Sequence, residues 1–509
     1  MTDSKPLSAA HAVLLAIHLC AGGSPSSLSN LQTRFPATLT TERLLRIILT
    51  FLPESTDPDA YVSVVRSLVD APNTSSSQGV DVSPVQDVPE AEARKRVRKI
   101  RLLPLMYPGD EDCKDVTDPL TLFLIHRAHR IDAETSLQPL ILDLLLPFYQ
   151  RSPILRTWLV SCLLPLLRLN YEYYPHQDKS CSVETLDALD EQTAVNILLS
   201  MVGTRKNDAD LIQNLRGLIG PWMYGISRPR RRRLSQAARR NSISLSQPGA
   251  HHEDGSSGWE QVNEWLLSRS LVDPEAVVNA FVSWDGPEDV DLGGYDCGDD
   301  KPSVDQLKQL RNQYGQTGLA VVYQSSQMSL NGSIRVLERI QTLLELEGPT
   351  FDGSALPFIE FDASPIESAS RATLFQNALL VPGNPLTYPS SSSLSFLGGL
   401  VLSLRALDEL GHSISCRTAS NICLHSNADM QLLELRSVMA SIARTRPGDW
   451  RAVRQKLLWV RNWKSEAGKP AKNAASCHGL FYRIPLDVME AEILKFLLEV
   501  RGMFRLLAA

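Results

Sequence analysis

The chain has 509 residues, with 51 Lys plus Arg against 57 Asp plus Glu, giving a formal net charge of −6. An apolar share of 43% beside 21% charged residues excludes wholesale disorder, and the near-balanced charge argues against a general nucleic-acid binder, which needs a net basic face. The aromatic share of 6% and the Leu-rich runs lean towards helices, because strands favour aromatic and β-branched residues.

The N-terminal stretch from Pro6 to Thr33 carries no formal charge, and 12–21 is apolar except for His18, the length of a signal-peptide core. Asp3 beside Lys5, the interior His18 and the bulky Leu19 at the would-be −3 site oppose that reading. A helix capped by Ser8, with Ala12, Leu15, Ala16 and Leu19 on one face, is the better expectation. Thr40 or Thr41 caps a second helix through Leu44, Leu45, Ile48 and Leu52, stopped by Pro53, and Asp57-Pro58 opens a third. The run RKRVRKIR at 94–101, between Glu90 and Glu92 and Leu102-Leu103, reads as the solvated face of a helix. Its rival readings are a nuclear-localisation signal or an anionic-surface patch. Asp118-Pro119 begins a helix carrying Leu120, Phe123, Leu124 and Ala128, since proline at the first turn loses no hydrogen bond. Ser152-Pro153 repeats the signal ahead of Leu155, Leu159, Cys162 and Leu163. The longest apolar run, Thr157 to Leu167, is bounded by Arg156 and Arg168 and interrupted by Pro165, short of the roughly 20 residues a spanning helix needs. Amphipathic stretches recur near 190–202, 207–219, 259–269, 274–284, 303–323, 333–346, 366–380, 394–410, 428–443, 449–463 and 486–507. No N-G or D-G hairpin lies between alternating segments.

These signals predict an all-α fold, an elongated α-solenoid-like stack of helical hairpins with disordered linkers. Linker composition marks 71–88, 225–258, 286–302 and 464–478, which hold too little apolar surface to offset the entropy of ordering. The expected organisation is an N-terminal helical region over residues 1–224, an Arg/Ser/Gly-rich linker 225–258, a helical hairpin 259–285, an acidic loop 286–302 and a continuing helical region over 303–509.

Catalytic signatures are absent: there is no G-x-x-x-x-G-K-[ST], no G-x-G-x-x-G after a strand, no H-E-x-x-H and no G-x-S-x-G. The expectation is a non-enzyme without cofactor or metal. Candidate metal ligands compete with plainer roles. His126 and His129 share a helix face but sit in an ordinary half-buried pattern. His412, Cys416, Cys423 and His425 match no common zinc spacing. Asp289, Asp291 and Gly294 fit positions 1, 3 and 6 of a calcium loop, but Gly293 stands at position 5, where an oxygen side chain is wanted, and Asp300 replaces the bidentate Glu of position 12, so a solvated acidic loop is expected. Eight Cys without a C-x-x-C pair suit a reducing compartment. In the Arg-rich linker, seven Arg occupy 228–240, and Arg232-Arg233-Leu234-Ser235 and Arg239-Arg240-Asn241-Ser242 both fit the pattern of basophilic kinases. Ser235 and Ser242 are therefore candidate phosphorylation sites.

Several stretches resemble a known family: HAVLLAIHLCAGG at 11–23, LLRIILTFLPESTDP at 44–58, DPLTLFLIHRAHRIDAET at 118–135 and LLPFYQRSPILRTWLVSCLLPLLRLNYEYYP at 145–175. WEQVNEWLL at 259–267 and FVSWDGPEDVDLGGYD at 281–296 add to these. Together they are similar to the fungal secretory-pathway Sec39 family, whose domain also occurs in the animal neuroblastoma-amplified sequence protein. The resemblance runs over most of the chain and carries no catalytic or ligand residue. It implies a helical rod in the Dsl tethering complex at the endoplasmic reticulum. Such a rod is peripheral on the cytosolic face and serves retrograde, COPI-dependent Golgi-to-reticulum transport. It further implies other tether subunits and reticulum SNARE proteins as partners, with no nucleic acid. The alternative is a phosphorylation-regulated α-solenoid scaffold in nucleus or cytosol. Family members are usually longer. The stripe Leu486, Met489, Ile493, Leu497, Val500, Phe504, Leu507 reaches the C-terminus without a stop signal, so an N-terminal fragment of a longer rod is expected. The alternative course for this stripe is to fold back on 428–443 and 449–463.

Overall fold

A computed structural model of the chain describes residues 7–70, 80–107, 118–176, 181–203, 209–224, 258–295, 302–351, 356–445, 449–463 and 479–507. The fold is all-α, with no strand among the described residues. Two compact units form. The first comprises 1–201, 213–257 and 290–301; the second comprises 202–212, 258–289 and 302–509.

Helix starts lie where short polar side chains occupy the N-cap. Ser8 accepts from the His11 N–H ahead of Ala9–Ala21, and Thr40 accepts from the Arg43 N–H ahead of Thr41–Phe51. Asp118 accepts from the Leu120 and Thr121 N–H groups ahead of Pro119–Thr135. Each cap satisfies donors that have no carbonyl inside the helix. In the first unit, Ala9–Ala21 packs on Thr41–Phe51, and Thr41–Phe51 packs on Pro119–Thr135. Leu15, Leu44, Ile48 and Phe123 lie in the resulting core. In the second unit, Val304–Gln324 opens with a capping box from Ser303 and Gln306. It packs between Trp259–Arg269 and Leu330–Leu344, and the latter meets Ser391–Asp408.

Three expectations needed correction, and one further feature had not been anticipated: Pro165, which interrupts the apolar run 157–167, does not end its helix. Helical backbone runs from Pro153 to Tyr173, with π-turns at Leu159–Leu163 and Arg168–Tyr173 on either side of the proline. A π-turn widens the ring by one residue and so accommodates the carbonyl that a proline ring would strike. The stretch 366–380 is not one helix. It holds three single turns, Ser364–Glu367, Arg371–Leu374 and Gln376–Leu379. The freed carbonyls find side-chain amides instead. Asn384 donates to the Thr373 and Ala378 oxygens, and Gln316 donates to those of Leu379 and Val381.

The 71–88 linker is packed over its second half: Ser83–Gln86 is a short helix, Val80 and Val85 are buried, and the Val88 carbonyl lies 2.8 Å from His11 Nε2. The acidic loop is likewise ordered over 286–295. In the second unit, Gly286 (φ 82°) lies so close to Tyr314 that an added Cβ would stand 2.8 Å from its ring, and Trp284 Nε1 donates to the Asp289 carbonyl at 3.0 Å. Residues 71–79, 225–257, 296–301 and 464–478 lie outside the described residues, and Ser235, Ser242 and Asp300 with them.

Candidate interaction surfaces

The residues considered as ligands take structural places. His126 is buried, with Nδ1 3.0 Å from the Pro104 carbonyl and 3.3 Å from that of Leu105. His129 stacks on Tyr107 at 4.0 Å between ring centroids and lies 3.8 Å from the Asp187 carboxylate. Cys416 and Cys423 are buried in the helix Cys416–His425, where burial pushes both thiols up to about 12 and away from the thiolate a metal requires. His412 turns instead towards Ser441 and Glu434. No group of three His, Cys, Asp or Glu placed to hold a metal occurs among the described residues. Two small cavities, one beside Trp450 and Ile493 and one beside Phe361 and Cys423, hold about 10 Å³ each, room for one water.

Burial lowers the pKa of His126, although the Leu105 and Pro104 carbonyls pull the other way. A histidine whose folded pKa lies below its ordinary 6.5 binds fewer protons folded than unfolded, so stability falls as pH drops through 6.5. Thermal melts of the whole chain are expected to show this loss between neutral pH and pH about 5, and His126→Gln to flatten it. An unchanged slope in that variant would assign the effect to other groups.

Two buried cations were not singled out by sequence reasoning. Arg127 is fully buried; it donates to the Leu52 carbonyl at 2.8 Å and to that of Pro53 at 2.6 Å, beside Glu54 and over the Tyr61 ring. It thereby satisfies carbonyls past the C-terminus of Thr41–Phe51. Arg168, also buried, donates to the Gly217 and Asp291 carbonyls and pairs with the Asp291 carboxylate at 2.7 Å. Burial raises the Asp291 carboxyl, but the Gly293 N–H and the Arg168 guanidinium bring it below the usual range. Asp291 is thus a structural counter-ion. A signal for Arg127 existed in the sequence, since it follows Phe123 by four residues and precedes Ile131 by four on an apolar face.

Two surfaces stand out. In the second unit, Leu486–Leu507 buries Met489 and Ile493, and Ile493, Phe496 and Leu497 line a shared contact with Met439, Ile442, Trp450 and Leu457. This stretch of the predicted stripe takes the folded-back course. Arg436 clasps Glu492 with two hydrogen bonds and holds that carboxyl below its usual range. The opposite side of the helix presents Leu494 and Leu498, each about 60% exposed, one turn apart. Met430 and Leu433 are exposed on the neighbouring helix Ala428–Thr445. In the first unit, the helix Glu90–Lys99 buries Ala93 and turns Arg94, Lys95, Arg96, Arg98 and Lys99 to solvent. No helix among the described residues is long and apolar enough to cross a membrane.

Comparison with known proteins places these helices in a family. No curated protein gives a significant match. The family model described as secretory pathway protein Sec39 matches residues 13–509, nearly the whole chain, and therefore includes both units and both surfaces. The chain belongs to the Sec39 family of secretory-pathway proteins.

Proposed function

We propose that the chain is a non-enzymatic subunit of a vesicle-tethering complex at the endoplasmic reticulum, acting in retrograde Golgi-to-reticulum (COPI) transport and binding SNARE proteins. The observation that carries this reading is the family match over residues 13–509. Exposed apolar pairs at helical spacing, Leu494 with Leu498 and Met430 with Leu433, support recognition of partner helices. A tether bridges a gap, and stacked helices gain length in proportion to residue number without a cofactor or a catalytic cleft.

Affinity purification of the tagged chain tests the proposal. Recovery of other tether subunits and reticulum SNAREs is the expected result, with the chain released from membranes by carbonate. Leu494→Ser with Leu498→Ser is expected to keep helicity and stability, because both side chains already face water, and to lower recovery of a helical partner about tenfold or more. Recovery of import receptors and nuclear proteins instead would overturn the tethering reading in favour of a nuclear or cytosolic scaffold.

A further inference from the structure

The helix Glu90–Lys99 carries charge out of proportion to a chain of net charge −6. Residues 90–101 hold six cations against two acids. Glu90 pairs with Arg94 at 2.5 Å and Glu92 with Arg96 at 3.2 Å. Lys95, Arg98, Lys99 and Arg101 are exposed, and no carboxylate among the described residues pairs with them. Placement matters as much as number. Successive helical residues are rotated by about 100°, which puts Arg94, Lys95, Arg98 and Lys99 on the half of the helix opposite buried Ala93. That half is the crest, turned directly away from the contact with Ala9–Ala21. From Arg94 to Lys99 the cations span about 7.5 Å of helix axis.

We propose that this crest binds the anionic surface of a lipid bilayer directly, through the phosphate and carboxylate groups of phosphatidylserine-type headgroups. A crest of long, flexible cations suits a plane of anions, whereas an acidic peptide is better held in a groove. Protein interfaces also need an apolar or aromatic anchor, and the exposed large apolar side chains among the described residues include none between 80 and 107. The same lack of exposed aromatic side chains leaves nothing on which to stack nucleic-acid bases. Clusters of four to eight Lys and Arg on a helix are a recognised means of holding anionic leaflets. The contact is separate from any attachment through partners and does not depend on the tethering reading.

The test is co-sedimentation of the full chain with phosphatidylcholine vesicles, with and without about 30 mol% phosphatidylserine. Binding only to the anionic vesicles is expected at about 0.1 M salt, with loss at about 0.5 M. Each cation contributes about fivefold to partitioning, so K95E/R98E/K99E is expected to lower it by about a hundredfold or more. These side chains are exposed, so the variant should keep its circular dichroism spectrum and melting temperature. The control R34E/K308E/K495E changes net charge equally at exposed sites elsewhere and is expected to leave binding within about twofold. Equal loss in both variants would reduce the effect to net charge and overturn the proposal. So would failure of the unmodified chain to bind anionic vesicles. Binding that emerges only after Asp110, Glu111, Asp112 and Asp115 are changed to Asn or Gln would show the crest to be neutralised by this chain's own acids, and would overturn the proposal for the native chain. Unchanged vesicle binding by K95E/R98E/K99E, with loss of a co-purifying protein, would assign the crest to a protein partner.

Discussion

Arg127→Met is expected to destabilise the first unit by about 3–5 kcal/mol, the usual consequence of deleting one member of a buried, hydrogen-bonded charge cluster. Methionine keeps most of the aliphatic stem, so the change isolates the guanidinium. Its loss removes the donors to the Leu52 and Pro53 carbonyls and the cation beside the Tyr61 ring. An orphaned buried carbonyl costs about 1–3 kcal/mol; the Leu52 oxygen is such a group, and the Pro53 oxygen is partly buried. Glu54 keeps its pairing with Arg130, which limits the damage to the carbonyls. Hydrogen exchange is the appropriate measure, because a chain of two compact units need not unfold in one step. Amides of Thr41–Phe51 and Pro119–Thr135 should exchange about a hundredfold faster or more, with little change in Ser391–Asp408 of the second unit. Arg127→Lys should fall between, since one ammonium lacks the fork that reaches both carbonyls. A change below about 1 kcal/mol in Arg127→Met would mean that water replaces the guanidinium at these oxygens.

The second large effect concerns Trp463 and Gly399. The indole of Trp463 is fully buried and packs against Phe361 and Phe396, each 5.9 Å away between ring centroids. Its Nε1 donates to Ser403 Oγ at 2.8 Å. One face covers Gly399 so closely that an added Cβ would stand 2.9 Å from the ring. Trp463→Ala leaves a cavity and removes the hydrogen bond that Ser403 Oγ accepts, while that hydroxyl still donates to the Gly399 carbonyl, and should cost about 3–5 kcal/mol. Gly399→Ala should cost about 1–3 kcal/mol by overpacking, because a rigid indole wedged between two phenylalanines has little room to move. The two changes should not add. With the indole gone, the Gly399→Ala methyl enters the vacated space, so its cost should shrink to near zero or reverse sign. A double-mutant cycle by urea unfolding, followed through the second unit, measures this coupling. Additive effects would mean that the close approach is relieved by backbone movement.

Helix starts were the most legible feature of this chain. Ser8, Thr40 and Asp118 act as N-caps where the sequence reading placed them, because capping joins residues two or three apart. The resemblance to the Sec39 family was legible for a related reason: it rests on extended text, and it agrees with the family match over 13–509. Fates decided by distant partners were not legible. Arg127 and Arg130 sit on one helix, yet the first is sealed among carbonyls 74 and 75 residues away while the second stays partly exposed on Glu54. Asp291 read as a member of a solvated loop until Arg168, 123 residues away, supplied its counter-charge. Residues 366–380 read as a helix until Gln316 and Asn384 supplied the amides that broken turns require. The sequence by itself therefore determined the all-α class and the starts of the helices whose caps it names, since those energies lie within a turn of helix, but it missed Gln138–Leu145 and Cys416–His425. Only the tertiary structure decided which charges are buried, how Pro165 is accommodated, and that Leu494 and Leu498 face water, whereas the solvated 94–99 face was already legible in its charge. Burial and pairing are settled by side chains that meet only once the helices have packed.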